Sequence, residues 1–137
     1  IKKCNYISKF KNVKFVSGMS AEKVPYMYSY LYGMGYNVYA LVDNDAQGRK
    51  AIDTITNSDE TDDIINRLLK YNLGNGDESK DYLLEDLLSK DDKNKYLSSK
   101  STVLYKRIFD EIDSIQFEKE TNENFKKFFD NLLKKIK

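Results

Sequence analysis

Val38-Tyr39-Ala40-Leu41-Val42 is apolar without alternation and predicts a strand buried on both faces, as in parallel sheets covered by helices. Upstream, Lys11 to Gly18 reads as a further strand, with Val13, Phe15 and Val16 apolar and Gly18 closing it. Between them the spacing predicts a helix from an N-cap at Ser20 to about Leu31, with Val24, Met27, Tyr28 and Leu31 at i, i+3, i+4 and i+7. Pro25 is late for the preferred first helical position, so either the cap lies nearer Lys23 or the helix is kinked. Met27 and Tyr28 fall on the helical period and are expected in the core rather than in a stacking platform for bases. Gly33-Met34-Gly35 stops the helix, which gives strand, helix, strand with short connections: the right-handed crossover of a parallel sheet.

Beyond the central strand, Ala46 to about Ile55 is expected to be helical with Ala51, Ile52 and Ile55 inward, and residues 57–63 form an acidic, solvent-facing break. Ile64 to Leu73 is open between two readings, a helix from its Ile64, Ile65, Leu68, Leu69 spacing or a strand at Leu68 to Asn72. Gly74 to Asp77 is a loop. In Tyr82 to Leu88 the adjacent acids Glu85 and Asp86 lie among apolar residues; on a helix they would face water while the Leu residues face the core. The last third reads helical. Leu104, Ile108, Ile112 and Ile115 make one stripe, and Thr121 is expected to cap a final helix carrying Phe125, Phe128, Phe129, Leu132, Leu133 and Ile136 on one face. That face is expected to pack on the sheet, or to dock a further domain if it is exposed.

Composition narrows the chemistry. The 137 residues suit one domain of a water-soluble class, 40% hydrophobic and 33% charged. The chain starts at Ile1 without an initiator Met and is read as a piece of a longer protein. No apolar run approaches the roughly 20 residues of a membrane span, and the lone Cys4 weakly favours a cytoplasmic setting. With no His, imidazole metal sites, Ser-His triads and His general bases are excluded from these residues, and a single Cys excludes a Cys-rich zinc cluster. The net charge of +1 hides segregation: residues 1–37 carry six Lys and one acid, residues 38–93 seven basic and fourteen acidic residues, and residues 94–137 ten basic and seven acidic. An acidic middle between basic flanks fits metal ligands beside phosphate contacts, and fits a solvated lysine-rich surface equally well.

Directly after the buried run come Asp43 and Asp45. While the chain stays extended, side chains at i and i+2 point to the same side, so two carboxylates converge where an open α/β sheet binds its ligands. Like charges held that close call for a divalent cation, and hard oxygens suit Mg²⁺ or Mn²⁺. A lone Asp-x-Asp is more often structural, and Asp45 would serve well as a helix N-cap. A calcium loop is poorly matched, because Gln47 and Thr54 occupy its fifth and twelfth positions and the preceding segment is strand-like.

Val42 to Ala51 resembles the Asp-x-Asp segment of Toprim domains, the metal-binding module of topoisomerases, bacterial primases and the OLD (overcoming lysogenisation defect) nucleases. Ser17 to Pro25 is similar to the glycine-containing, Val-Pro-ending segment of the OLD nucleases. Leu84-Glu85-Asp86-Leu87-Leu88 followed by Tyr96 resembles their Glu-Asp-Leu segment and downstream Tyr. The resemblance, spanning residues 13–105, implies an α/β domain with a Rossmann-like parallel sheet flanked by helices. Residues 1–100 would form the Toprim-like core, and residues 101–137 C-terminal helices packed on it within the same domain. It implies a DNA endonuclease of the two-metal type in a phage-defence protein. Mg²⁺ or Mn²⁺ would be held by Asp43, Asp45 and Glu85, and Lys100, or alternatively Lys106, would assist catalysis. The implied partners are DNA, an ATPase domain of the parent chain that alone would use ATP, and a second copy in a homodimer, with no membrane.

One departure counts against full activity. Toprim domains take a Glu from a first strand, and Ile1 to Phe10 contains no acid. The piece is therefore expected to lack that strand and to be weak or inactive by itself, with a complementing chain able to supply both. The rival expectations are a primase- or topoisomerase-type Toprim domain, and a non-catalytic module whose acids cap helices and whose Phe-rich stripe binds a partner.

Overall fold

A strand of three residues, Ala40–Val42 (β1), divides the core in two. Alternation along the strand puts Val38 and Ala40 against Tyr28, Ile55 and Ile64, and puts Tyr39 and Leu41 against Leu69, Phe128, Phe129 and Leu132. Both faces are thus covered, as the unbroken apolar run predicts. These relations come from a computed structural model that describes residues 6, 8–18, 20–58, 61–73, 79–96, 105–111 and 113–136.

Helix α1 (Val24–Gly33) precedes β1. It begins at a Lys23 cap with Pro25 in its first turn, preceded by a 3-10 turn at Ala21–Lys23, so the later of the two expected starts is the observed one. Gly35, at φ +83°, reverses the chain after the helix, a conformation glycine adopts without steric cost. Tyr28 is buried as expected, whereas Tyr26 and Tyr30 face outward. Helix α2 (Ala46–Thr56) follows β1 with Ala51 and Ile55 buried. In the ambiguous segment the strand reading is the observed one: β2 covers Leu68–Lys70, and a short helix α3 (Asp62–Ile65) ends before it, so no helix carries Leu68 and Leu69. β2 runs parallel to β1 with Leu41 opposite Leu69, so the observed crossover is β1–α2–α3–β2.

The predicted strand at residues 11–18 is not formed. Phe15 and Val16 are 56% and 61% exposed, and among the described residues the sheet has only two strands. An alternating apolar pattern fixes which side chains are inward only once a neighbouring backbone accepts the strand, and no described strand lies alongside this segment. The architecture is therefore α/β with a small parallel sheet between helices.

Helices α4 (Lys90–Tyr96), α5 (Tyr105–Asp110) and α6 (Lys119–Lys135) complete the described chain. α6 turns Phe128, Phe129 and Leu132 into the core, as its stripe predicts. Of the preceding stripe, Ile115 is buried and Ile108 packs beside it, while Leu104 and Ile112 lie outside the described residues, as does the Gly74–Asp77 loop. Tyr6 rests on the ring of Phe129 and donates a 2.6 Å hydrogen bond to Asp130 Oδ1, which clasps the early segment onto α6 and holds the Asp130 carboxyl below the usual carboxylate range. No helix among the described residues is long and apolar enough to cross a membrane.

Thr121 does not cap α6. The helix starts earlier, at a Glu118 cap, and Thr121 is fully buried in its first turn. Its hydroxyl donates to Asp92 Oδ2 at 2.6 Å and accepts from Ser89 N at 2.7 Å. The same Asp92 oxygen accepts from Glu118 N at 2.8 Å, and Ser89 Oγ accepts from Asp92 N. Asp92 is a buried acid held by donors around the start of α6, where the helix dipole favours negative charge. Thr121→Val, which leaves the buried Ser89 amide without its acceptor, is expected to cost about 1–3 kcal/mol. Urea unfolding should show a lowered midpoint at unchanged slope, with Thr121→Ser close to wild type.

Candidate metal site at the carboxyl end of β1

The backbone remains extended past the end of β1. Asn44 forms a two-bond antiparallel bridge with Tyr82 (2.8 and 2.9 Å), and Asp45 sits at φ −127°, ψ −177°. Asn44 is wholly buried, and its Nδ2 donates to Lys80 O at 2.7 Å. Beside this bridge, Leu84 N donates to Asp43 Oδ1 at 3.0 Å. Together these bonds dock the 3-10 turn Leu84–Leu87 onto the strand end and carry Glu85 to Asp43 across 42 positions of sequence.

Asp45 has a second task. Its Oδ1 accepts from Gly48 N at 2.7 Å, which makes it the N-cap of α2, the structural role weighed for it from sequence. Gly48 is placed so close to the strand end that a Cβ there would lie 1.9 Å from the Asp43 carbonyl oxygen. Only glycine fits that approach, which explains the residue without a calcium loop.

Glu85 and Asp86 are both half-buried instead of facing open water. Asp86 accepts from Leu83 N at 2.8 Å and pairs with Lys93 at 2.9 Å. Glu85 has no side-chain hydrogen bond or ion pair among the described residues. Arg49, the first cation after the two aspartates, reaches Asp81 at 3.0 Å and the Asn44 carbonyl, away from both.

Burial first, and then the charges of Glu85, Asp45 and Asp86, push the Asp43 carboxyl above the ordinary aspartate range, against the Leu84 amide that favours its charged form. Glu85 acts on Asp43 more strongly than Asp45 does. Burial and the same two acids, Asp43 and Glu85, also raise the Tyr71 phenol, whose ring stacks on Phe128 of α6. The crowded pair at this strand end is thus Asp43 with Glu85, with Tyr71 on its flank.

Family models, curated proteins and solved structures give no match to this chain.

Among the described residues no three His, Cys, Asp or Glu side chains form a ready-made metal cluster. The oxygen donors still suit a hydrated Mg²⁺ or Mn²⁺, because Mg²⁺ keeps several waters and takes one or two carboxylates together with substrate phosphates. Asp43 and Glu85 can provide such a pair, with Asp45 next to them. Lys100 lies outside the described residues, Lys106 belongs to α5, and Tyr96 is buried in a core cluster with Leu88 and Ile115. Asn44, Gly48 and Tyr71 were not singled out as parts of the site from sequence, although a buried Asn between two acids is a signal that the backbone there needs fixing.

Because the folded state raises the Asp43 pKa, this group favours folding only when protonated, and its charge erodes stability as pH rises from about 4 through the folded value. Asp43→Asn keeps an acceptor for Leu84 N and removes the charge. In metal-free buffer it should therefore unfold at higher urea than wild type at pH 7, with the difference vanishing below about pH 4. Gly48→Ala should cost about 1–3 kcal/mol or more, since α2 must move off the strand end to admit the methyl group. Equilibrium unfolding checks both.

Proposed function

We propose that this chain is the nuclease part of an OLD-like ATPase-nuclease, with a Toprim-type site that hydrolyses DNA phosphodiesters using Mg²⁺ or Mn²⁺ held by Asp43 and Glu85. The observation that carries the reading is the docking of the Leu84–Leu87 turn on Asp43 at the end of the doubly covered strand, which sets Glu85 beside Asp43 with no ion pair to either acid among the described residues. Of the three motif segments that carry the resemblance, those around Asp43 and Glu85 meet through the Leu84–Asp43 bond.

In this reading Asp43 and Glu85 hold and orient the cation. Asp45 acts beside them, fixing the first turn of α2 through Gly48. Tyr71 stays a protonated phenol at neutral pH and presents a donor next to the two acids. When bound, the metal supplies Lewis acidity at the phosphoryl oxygens and a water of lowered pKa. A two-metal form would need further ligands beyond the described carboxylates. The catalytic Lys is assigned to Lys100 by resemblance alone.

One observation favours a second reading. Both Asp43 and Asp45 accept backbone amides, so a structural junction without metal would use the same contacts. Calorimetric titration with Mn²⁺ separates the two. The nuclease reading expects binding that Asp43→Ala and Glu85→Ala abolish, and about a 100-fold or greater loss of Mn²⁺-dependent nicking of supercoiled DNA when either substitution is made in the intact protein. Undiminished nicking in both variants would sink it.

A further inference from the structure

The pairing of β1 with β2 continues one step past the ends of the two strands. Leu41 lies opposite Leu69, and the Tyr71 amide donates to the Val42 carbonyl at 3.1 Å, so the residue opposite Asp43 is Tyr71. Alternation sends both side chains to the face that α6 covers, because Leu41, Leu69 and Tyr71 all belong to the cluster around Phe128 and Phe129. Backbones of paired strands are roughly 5 Å apart, which sets the Tyr71 side chain beside the Asp43 carboxylate. The ring is fixed by stacking on Phe128 at 5.6 Å. The hydroxyl is uncommitted: it forms no hydrogen bond among the described residues, and it is not one of the sealed, unpartnered polar atoms of the core. We propose that this hydroxyl is a binding group of the site, donating to a non-bridging oxygen of a phosphate held on the cation.

Packing accounts for the ring and leaves the hydroxyl unexplained, since a Phe would stack on Phe128 equally well. The other donors near the strand end are spent. Arg49 is engaged by Asp81, Lys93 by Asp86, and the Leu84 amide by Asp43 itself. A phosphate approaching Asp43 and Glu85 is repelled until a bound cation offsets their charge, and it then needs a donor on the protein to orient it. A neutral phenol supplies that donor without neutralising the carboxylates that hold the cation, as a Lys in the same place would. Burial and the two acids keep the phenol protonated at neutral pH, so the donor is retained.

This inference deepens the nuclease reading and rests on it, because the phosphate comes to the hydroxyl through the cation. Calorimetry separates the two claims. Titration with Mn²⁺ is expected to give the same affinity for wild type and Tyr71→Phe. Inorganic phosphate titrated into the Mn²⁺-loaded proteins should bind Tyr71→Phe at least about tenfold more weakly. The urea midpoint of Tyr71→Phe should equal that of wild type, since the ring stays on Phe128, so a purely structural role would leave both titrations unchanged. Oligo(dT) titrated with Ca²⁺ in place of Mn²⁺ identifies the source: a matching loss assigns the contact to a nucleic-acid phosphodiester, and a loss confined to inorganic phosphate assigns it to a free phosphate. The proposal is overturned if Mn²⁺-loaded wild type takes up no phosphate, if Tyr71→Phe binds phosphate as well as wild type, or if its Mn²⁺ affinity falls as far as its phosphate affinity. Wild type that binds no Mn²⁺ overturns the nuclease reading and this contact together, whereas intact Mn²⁺ binding with undiminished phosphate binding in Tyr71→Phe overturns the contact alone.

Discussion

The paired backbone bonds between Asn44 and Tyr82 hold the candidate site together. They extend the path of β1 by a single residue pair and bring the Leu84–Leu87 turn to the strand end. The Leu84 amide then reaches Asp43, and Glu85 arrives as a consequence. Acids that would repel in water are kept adjacent by amides and a buried Asn, none of which can be shed without leaving buried polar groups unpaired. The local cost shows in the displaced Asp43 titration, and the surrounding bonds sustain it.

The same logic works at larger scale. β1 is too short to be stable as one of two strands alone, and its durability comes from helices on both faces: α1 and α2 on one, α6 on the other. Tyr71 links the α6 side to the acids, since its ring is packed on Phe128 while its phenol lies in their field. Packing of the last helix and the electrostatics of the strand end are therefore connected through one side chain.

Periodic features were legible in the sequence. The α6 stripe, the inward face of α2 and the two-sided burial of residues 38–42 follow from side-chain spacing, because each depends on neighbours within a turn or two. Features set by distant partners were not. The 11–18 segment has a strand pattern and no strand to join, and Thr121 has the composition of a cap while its partners Ser89 and Asp92 lie about 30 residues upstream. Ser89-Lys90-Asp91-Asp92 does carry capping-box spacing, which could have pointed to that network. At the site, Asp43 was readable from its place after an apolar run. The cap role of Asp45 was one of two open readings, and the approach of Glu85 to Asp43 came only with the tertiary bond.

The Tyr6–Asp130 clasp has a bearing on assembly. It joins positions 124 apart, and the rings around it, Phe10 and Phe129, belong to the same two distant stretches. Contacts of that separation are among the slowest to form, and Tyr6 and Phe10 find their seat only once α6 is in place. Until then both rings lack the partners that bury them, so the docking of α6 is the event that ends their exposure.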